Sequence, residues 1–142
     1  MADKFKDIQI NGHEFRIGLP SARDGSWMVQ VILAAARNVG GAIDPNNYSK
    51  MQDILLSKCL YLRNNGDGTK IPQRLYDPQG EKTCWLVPDI GIETDTETVT
   101  LLSDEALDFC VGPTIRTLIV KAEVERQRQK ELELAKDSTI NQ

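Results

Sequence analysis

One histidine, three cysteines and 6% aromatic residues in a chain of 142 are small holdings, and each shortage excludes a class of function. A lone histidine, His13, cannot complete a zinc site of recognisable spacing, and no C-x-x-C pair stands beside it. No G-x-S-x-G occurs, so a Ser-His-Asp hydrolase signature is missing too. No apolar run approaches the ~20 residues that cross a bilayer, so no transmembrane segment is expected. Met1-Ala2-Asp3-Lys4-Phe5-Lys6 carries charge with no apolar stretch behind it, so no secretory leader is expected either. Positive charge is in deficit: the net charge is −4, against a surface that holds nucleic acid by neutralising phosphates. What remains is an ordinary globular composition, 40% hydrophobic and 27% charged, at a length that suits one domain.

Charge is unevenly placed. Residues 83–115 hold no Lys or Arg but seven acids: Asp89, Glu93, Asp95, Glu97, Asp104, Glu105 and Asp108. Residues 1–82 carry +2 and residues 116–142 carry +1. The acidic block reads as a solvated loop with a helix N-terminus, or as a docking face for a basic partner or a hard cation. Cys59, Cys84 and Cys110 are expected as reduced thiols of a cytosolic protein. Cys110 has no Lys, Arg or His within five residues to stabilise a thiolate.

Local patterns give the elements. Ile8 and Ile10, then Phe15 and Ile17, alternate with polar neighbours around Asn11-Gly12, the pair that a two-residue type I′ turn demands. A hairpin is expected from Ile8 to Ile17, and a helix from about Asp24 to Val39 with Gly40-Gly41 as its stop. The middle of that helix, Trp27 to Ala36, has one polar residue in ten, so it is either central to the fold or partly awaiting a partner. Asp44-Pro45 opens a second helix, whose stripe of Met51, Ile54, Leu55, Cys59 and Leu62 predicts a run to about Leu60. Asn64-Asn65-Gly66-Asp67-Gly68 is a turn cluster. Gly66 to Lys70 has neither the order nor the spacing of a phosphate loop. As a calcium loop it fails at Lys70, where glycine is needed, and at Tyr76, where a bidentate Glu belongs.

Thr69 to Leu102 reads as short, irregular β structure broken by Asp77-Pro78, Gly80, Pro88 and Gly91. Ser103 then caps a third helix with Asp104 and Glu105 in its first turn. Leu107, Val111, Ile115, Leu118, Ile119 and Ala122 form its stripe, and Gly112-Pro113 predicts a kink or a division into two helices. Beyond Ala122 the pattern is charged, with Arg128–Glu131 and Lys130–Glu133 as helix-supporting pairs. The expected organisation is a globular domain over 1–122 and a charged helical arm over 123–142. The expected fold is α+β: an N-terminal β-hairpin packed on three to four helices, a short irregular β region and a projecting C-terminal helix.

The order of these parts resembles a family. The hairpin Ile8–Ile17 is followed by Leu19-Pro20-Ser21-Ala22, an apolar helix and the segment Met51–Leu60. Asp67-Gly68-Thr69, Ile71-Pro72 and Ala106-Leu107-Asp108-Phe109 complete the sequence of parts. Over residues 7–120 this is similar to the small tail assembly chaperones of tailed bacteriophages, departing from their pattern at Phe109-Cys110-Val111-Gly112-Pro113. The resemblance implies a non-enzymatic protein of the host cytoplasm, without cofactor or metal. It would hold the helical tape-measure protein soluble while the tail tube protein polymerises, itself as a monomer or homo-oligomer, with no nucleic-acid or membrane partner. The candidate client-binding residues are Trp27, Met28, Val31 and Ile32 on the apolar helix and Leu118 and Ile119 on the last stripe; a holding protein needs such apolar helix surface under a charged exterior. Two other classes stay open. One is a structural virion component, at a baseplate or a head–tail joint; the other is a small enzyme or metal-dependent module using the acidic block.

Overall fold

The computed structural model describes residues 4–37, 41–63, 72–80, 83–87 and 90–140, with side chains as far as residue 136. The expected turn at Asn64–Gly68, the helix stop at Gly40, the Asp67-Gly68-Thr69 turn, Ile71 and Asp89 lie outside the described residues.

Strands β1 (Phe5–Ile10) and β2 (His13–Gly18) form the predicted antiparallel hairpin, closed by the pair Ile10↔His13. Asn11 (φ 50°) and Gly12 (φ 86°) both take the left-handed conformation of the turn. Two further antiparallel strands, β3 (Leu60–Leu62) and β4 (Gln73–Arg74), extend the sheet in the order β1-β2-β3-β4. The register sets Phe15 against Leu62 and Ile17 against Leu60, and all four are buried on one face. Because side chains alternate, the opposite face receives Asp7, Arg16 and Tyr61, which are adjacent across three strands.

Helix α1 (Ala22–Arg37) starts two residues earlier than the apolar pattern predicts, because Ser21 caps it: the Asp24 N–H donates to Ser21 Oγ at 3.2 Å. Only Met28, Val29 and Ala35 are buried, whereas Trp27, Val31, Ile32 and Leu33 are half-buried and Ala34 and Ala36 are exposed. α1 is therefore covered on one side, not enclosed all round.

Helix α2 (Pro45–Ile54) begins at Asp44-Pro45 as predicted, but it does not continue to Leu60. A π-helical turn, Leu55–Cys59, widens and ends it, and Leu60 enters β3. Met51, Leu55, Cys59 and Leu62 are all buried, yet Leu62 reaches the core from a strand. Its helical offset from Met51 is a coincidence of spacing.

The region expected to be β from Thr69 to Leu102 divides. Its first part holds β4 and an isolated bridge between Tyr76 and Trp85, whose rings meet edge-on at 4.9 Å. Thr98–Leu102, by contrast, is helical, inside α3 (Thr96–Ile140). Ser103 is not the cap: its hydroxyl donates to the Val99 carbonyl at 2.8 Å. Asp95 caps instead, accepting from the Thr98 N–H at 3.1 Å and the Thr98 hydroxyl at 2.7 Å. Thr98, Leu102 and Ala106, spaced by four, are buried, so tertiary packing overrides the β preference of the Thr-Val-Thr run.

Among the described residues the result is an α+β fold: an N-terminal hairpin extended to a four-stranded sheet, and three α-helices of which the last is the long C-terminal one. The chain forms two compact units, Met1–Gly112 and Pro113–Gln142, a boundary that falls before Ala122. Helix α3 keeps its helical course through Pro113, which lacks the N–H for one hydrogen bond of the ladder and where the sequence predicts an interruption; the division between units falls at that same Gly112-Pro113 pair.

Candidate functional site

In the second unit, residues 113–140 are helical, and the side chains described there, as far as residue 136, are overwhelmingly exposed. Leu118 and Ile119 are 37% and 52% exposed, and the apolar residues that follow are more so: Val120 62%, Val124 55%, Leu132 59% and Leu134 66%. Arg116, Thr117, Val120, Lys121 and Val124 line a shallow, open and mostly apolar depression on this helix. Ion pairs hold the flanking face, with Arg126 on Glu123 at 3.4 Å and Arg128 on Glu125 at 3.6 Å. The sequence reading pairs Arg128 with Glu131; in the structure it reaches back one turn to Glu125.

The candidates on α1 separate by burial. Met28 is fully buried and belongs to the core of the first unit, so a client could touch it only after that core opened. Trp27, Val31 and Ile32 keep part of their surface in water. Sequence reasoning missed Val120, Val124, Leu132 and Leu134. Their signal was available: large apolar residues persist in a segment otherwise made of Lys, Arg, Glu and Gln.

The acidic block does not act as a unit. Asp95 is spent on the α3 cap, where the Thr98 contacts hold its carboxyl below the ordinary carboxylate range. Glu105 lies 3.6 Å from Lys6 of β1. Among the described residues, no group of three or more His, Cys, Asp or Glu side chains comes together that could hold a metal ion. His13 is half-buried and edge-on to Phe15, where an exposed position is the simpler expectation for a residue next to the turn.

Two other features of the first unit are chemical. Across β1, β2 and β3, Asp7 accepts from Arg16 at 2.9 Å and from Arg63 at 2.9 Å, and the Arg16 guanidinium sits over the Phe5 ring at 5.4 Å. Near the far end of β2, the Cys110 thiol donates to the Gly18 carbonyl at 3.4 Å and lies within hydrogen-bonding reach of Cys59. That contact, with burial behind it, pushes the Cys59 thiol up; the same contact draws Cys110 below its ordinary value, against burial. Tyr76, beside Cys84, is pushed up to about 12, chiefly by burial.

Comparison of the chain with protein-family models, with curated proteins and with solved structures gave no match.

Proposed function

We propose that this chain is a non-enzymatic tail assembly chaperone of a tailed bacteriophage, binding the apolar, helical tape-measure protein and keeping it soluble while the tail is built. The observation that carries this reading is a solvated helix on which Leu118, Ile119, Val120, Val124, Leu132 and Leu134 all stay in water. Apolar side chains held in that state are stabilised by a helical partner that covers them, by about 25 cal/mol per Å² removed from water. Lys121, Glu123, Glu125, Arg126 and Arg128 on the same helix keep the unliganded protein dispersed. The half-buried Trp27, Val31 and Ile32 offer a second apolar strip within the first unit. The order of elements over residues 7–120 supports the same family.

The test is co-expression with the tape-measure protein, scored by the client's soluble fraction. The double substitution Ile119→Glu and Val120→Glu falls on exposed positions, so it should leave Tm within about 2 °C of the unsubstituted protein. It should abolish client solubilisation. A client equally insoluble with and without this chain removes the proposal. Recovery of the chain at a fixed copy number from purified mature particles would assign it to the baseplate or head–tail joint instead.

A further inference from the structure

The buried Cys59 and the half-buried Cys110 are fifty-one positions apart in sequence and are brought together by two independent features of the fold. The last residue pair of the β2–β3 ladder is Ile17↔Leu60, so the next step along the ladder brings Cys59 against Gly18. The π-helical turn that ends in Cys59 packs on β2, which holds it there. From the other side, α3 delivers Cys110, whose thiol donates to the carbonyl of that same Gly18. Gly18 is thus approached by the Cys110 thiol and, along the backbone, by Cys59, and both cysteines lie in the same compact unit.

We propose that Cys59 and Cys110 are an oxidisable dithiol, a modification site that takes hydrogen peroxide as its oxidant and closes to an intramolecular disulfide joining α3 to the β2–β3 junction. The two thiols are unequal in the way such chemistry uses. Cys110 retains access to solvent and, with Cys59 donating to it, ionises more readily than an ordinary thiol. Cys59 has no exposed surface and stays protonated. The Cys110 thiolate attacks one peroxide oxygen; the O–O bond breaks, hydroxide leaves and is protonated to water, and Cys110 becomes a sulfenic acid. The Cys59 sulfur then attacks the Cys110 sulfur; the S–O bond breaks, and the departing hydroxide takes the Cys59 proton as a second water. Two thiols lose two electrons, and one peroxide is reduced to two waters. A small thiol such as dithiothreitol reverses the bond. This site is independent of any client-binding role.

The full chain at low micromolar concentration, treated with a small excess of hydrogen peroxide and then alkylated, tests this. Trypsin separates Cys59 from the peptide that carries both Cys84 and Cys110, so mass reports the cross-link and fragmentation of the linked peptide assigns it to Cys84 or Cys110. The expected result is a monomer lighter by two hydrogen atoms, carrying a Cys59–Cys110 link that also forms in the Cys84→Ser variant. The Tm of the oxidised protein should rise by roughly 10 °C and return with dithiothreitol. In Cys59→Ser the Cys110 sulfenic acid should persist long enough to be trapped by dimedone. Disulfides through Cys84, covalent dimers, over-oxidation of Cys110 with Cys59 still alkylatable, or no reaction at Cys110 would each overturn the proposal.

Discussion

Asp7 and Arg16 stand directly opposite each other on β1 and β2, and Arg16 Nε donates to Asp7 Oδ1 at 2.9 Å while Arg63, just beyond β3, takes the other carboxylate oxygen at the same distance. One carboxylate thus ties three successive segments of the sheet on its charged face, opposite the face that buries Phe15, Ile17, Leu60 and Leu62. The Arg16 hydrogen bond leads in holding Asp7 below the usual carboxylate range, with the charges of Arg16 and Arg63 adding to it.

A depressed folded-state value means that the contribution of Asp7 is present above the unfolded value of about 4 and is lost as pH falls through the lower folded value. Asp24, held down first by its hydrogen bond from Lys58, and Asp95, held down by Thr98, act in the same direction. Tm should therefore decline modestly below about pH 4. Asp7→Asn should cost less than about 1 kcal/mol at pH 7, because Asp7 keeps 40% of its side chain in water and is screened. The gap between Asp7→Asn and the unsubstituted protein should close by pH 2 and narrow in high salt. A gap that widens on acidification would contradict this.

The α3 cap is joined to the hairpin through one chain of donors. Asn11 Nδ2 donates to Thr98 Oγ1 at 2.6 Å, and the Thr98 hydroxyl donates on to Asp95. Thr98→Val preserves shape but removes both links and buries an apolar group in their place. It should lower Tm by about 2–4 °C, and Asn11→Ala in that background should cost less than it does alone. Equal costs in both backgrounds would show that the Asn11 contact carries no stability.

Gly80 closes the turn that follows Tyr76, with its N–H donating to the Asp77 carbonyl at 3.1 Å. A Cβ there would run into the Thr83 backbone carbonyl, which cannot swing away as a side-chain tip could. Gly80→Ala should destabilise by about 1–3 kcal/mol and separate Tyr76 from Trp85. In a Trp27→Phe background, Trp85 fluorescence reports that separation. An unchanged Tm and emission maximum would sink the prediction.

What was readable in advance follows from the range of the forces involved. Asn11-Gly12 predicts its own turn because the requirement is steric and local, and the neighbouring strands need only alternation to declare a buried face. Asp44-Pro45 likewise places the start of α2, since the fixed φ of Pro45 suits the first helical turn, although the Asp44 side chain makes no capping hydrogen bond. The end of α2 was not readable: a three-residue strand is too short to show a period of two, and Leu62 happens to fit the helical stripe as well. Thr98–Leu102 misled for the complementary reason, since β-branched residues there satisfy a helix once Asp95 caps it and its fourth-residue positions are buried.

Sequence alone determined the hairpin with its turn, the start of α2, the charged character of the C-terminal segment and the α+β class, all set by contacts between residues close along the chain. Tertiary structure decided the rest. The open edge of β2 made Leu60–Leu62 a strand, and core packing turned Met28 inward while leaving Val120, Val124, Leu132 and Leu134 in water. It also brought Cys110 to the Gly18 carbonyl, beside the turn that ends in Cys59, because no local rule encodes where elements fifty-one residues apart will meet.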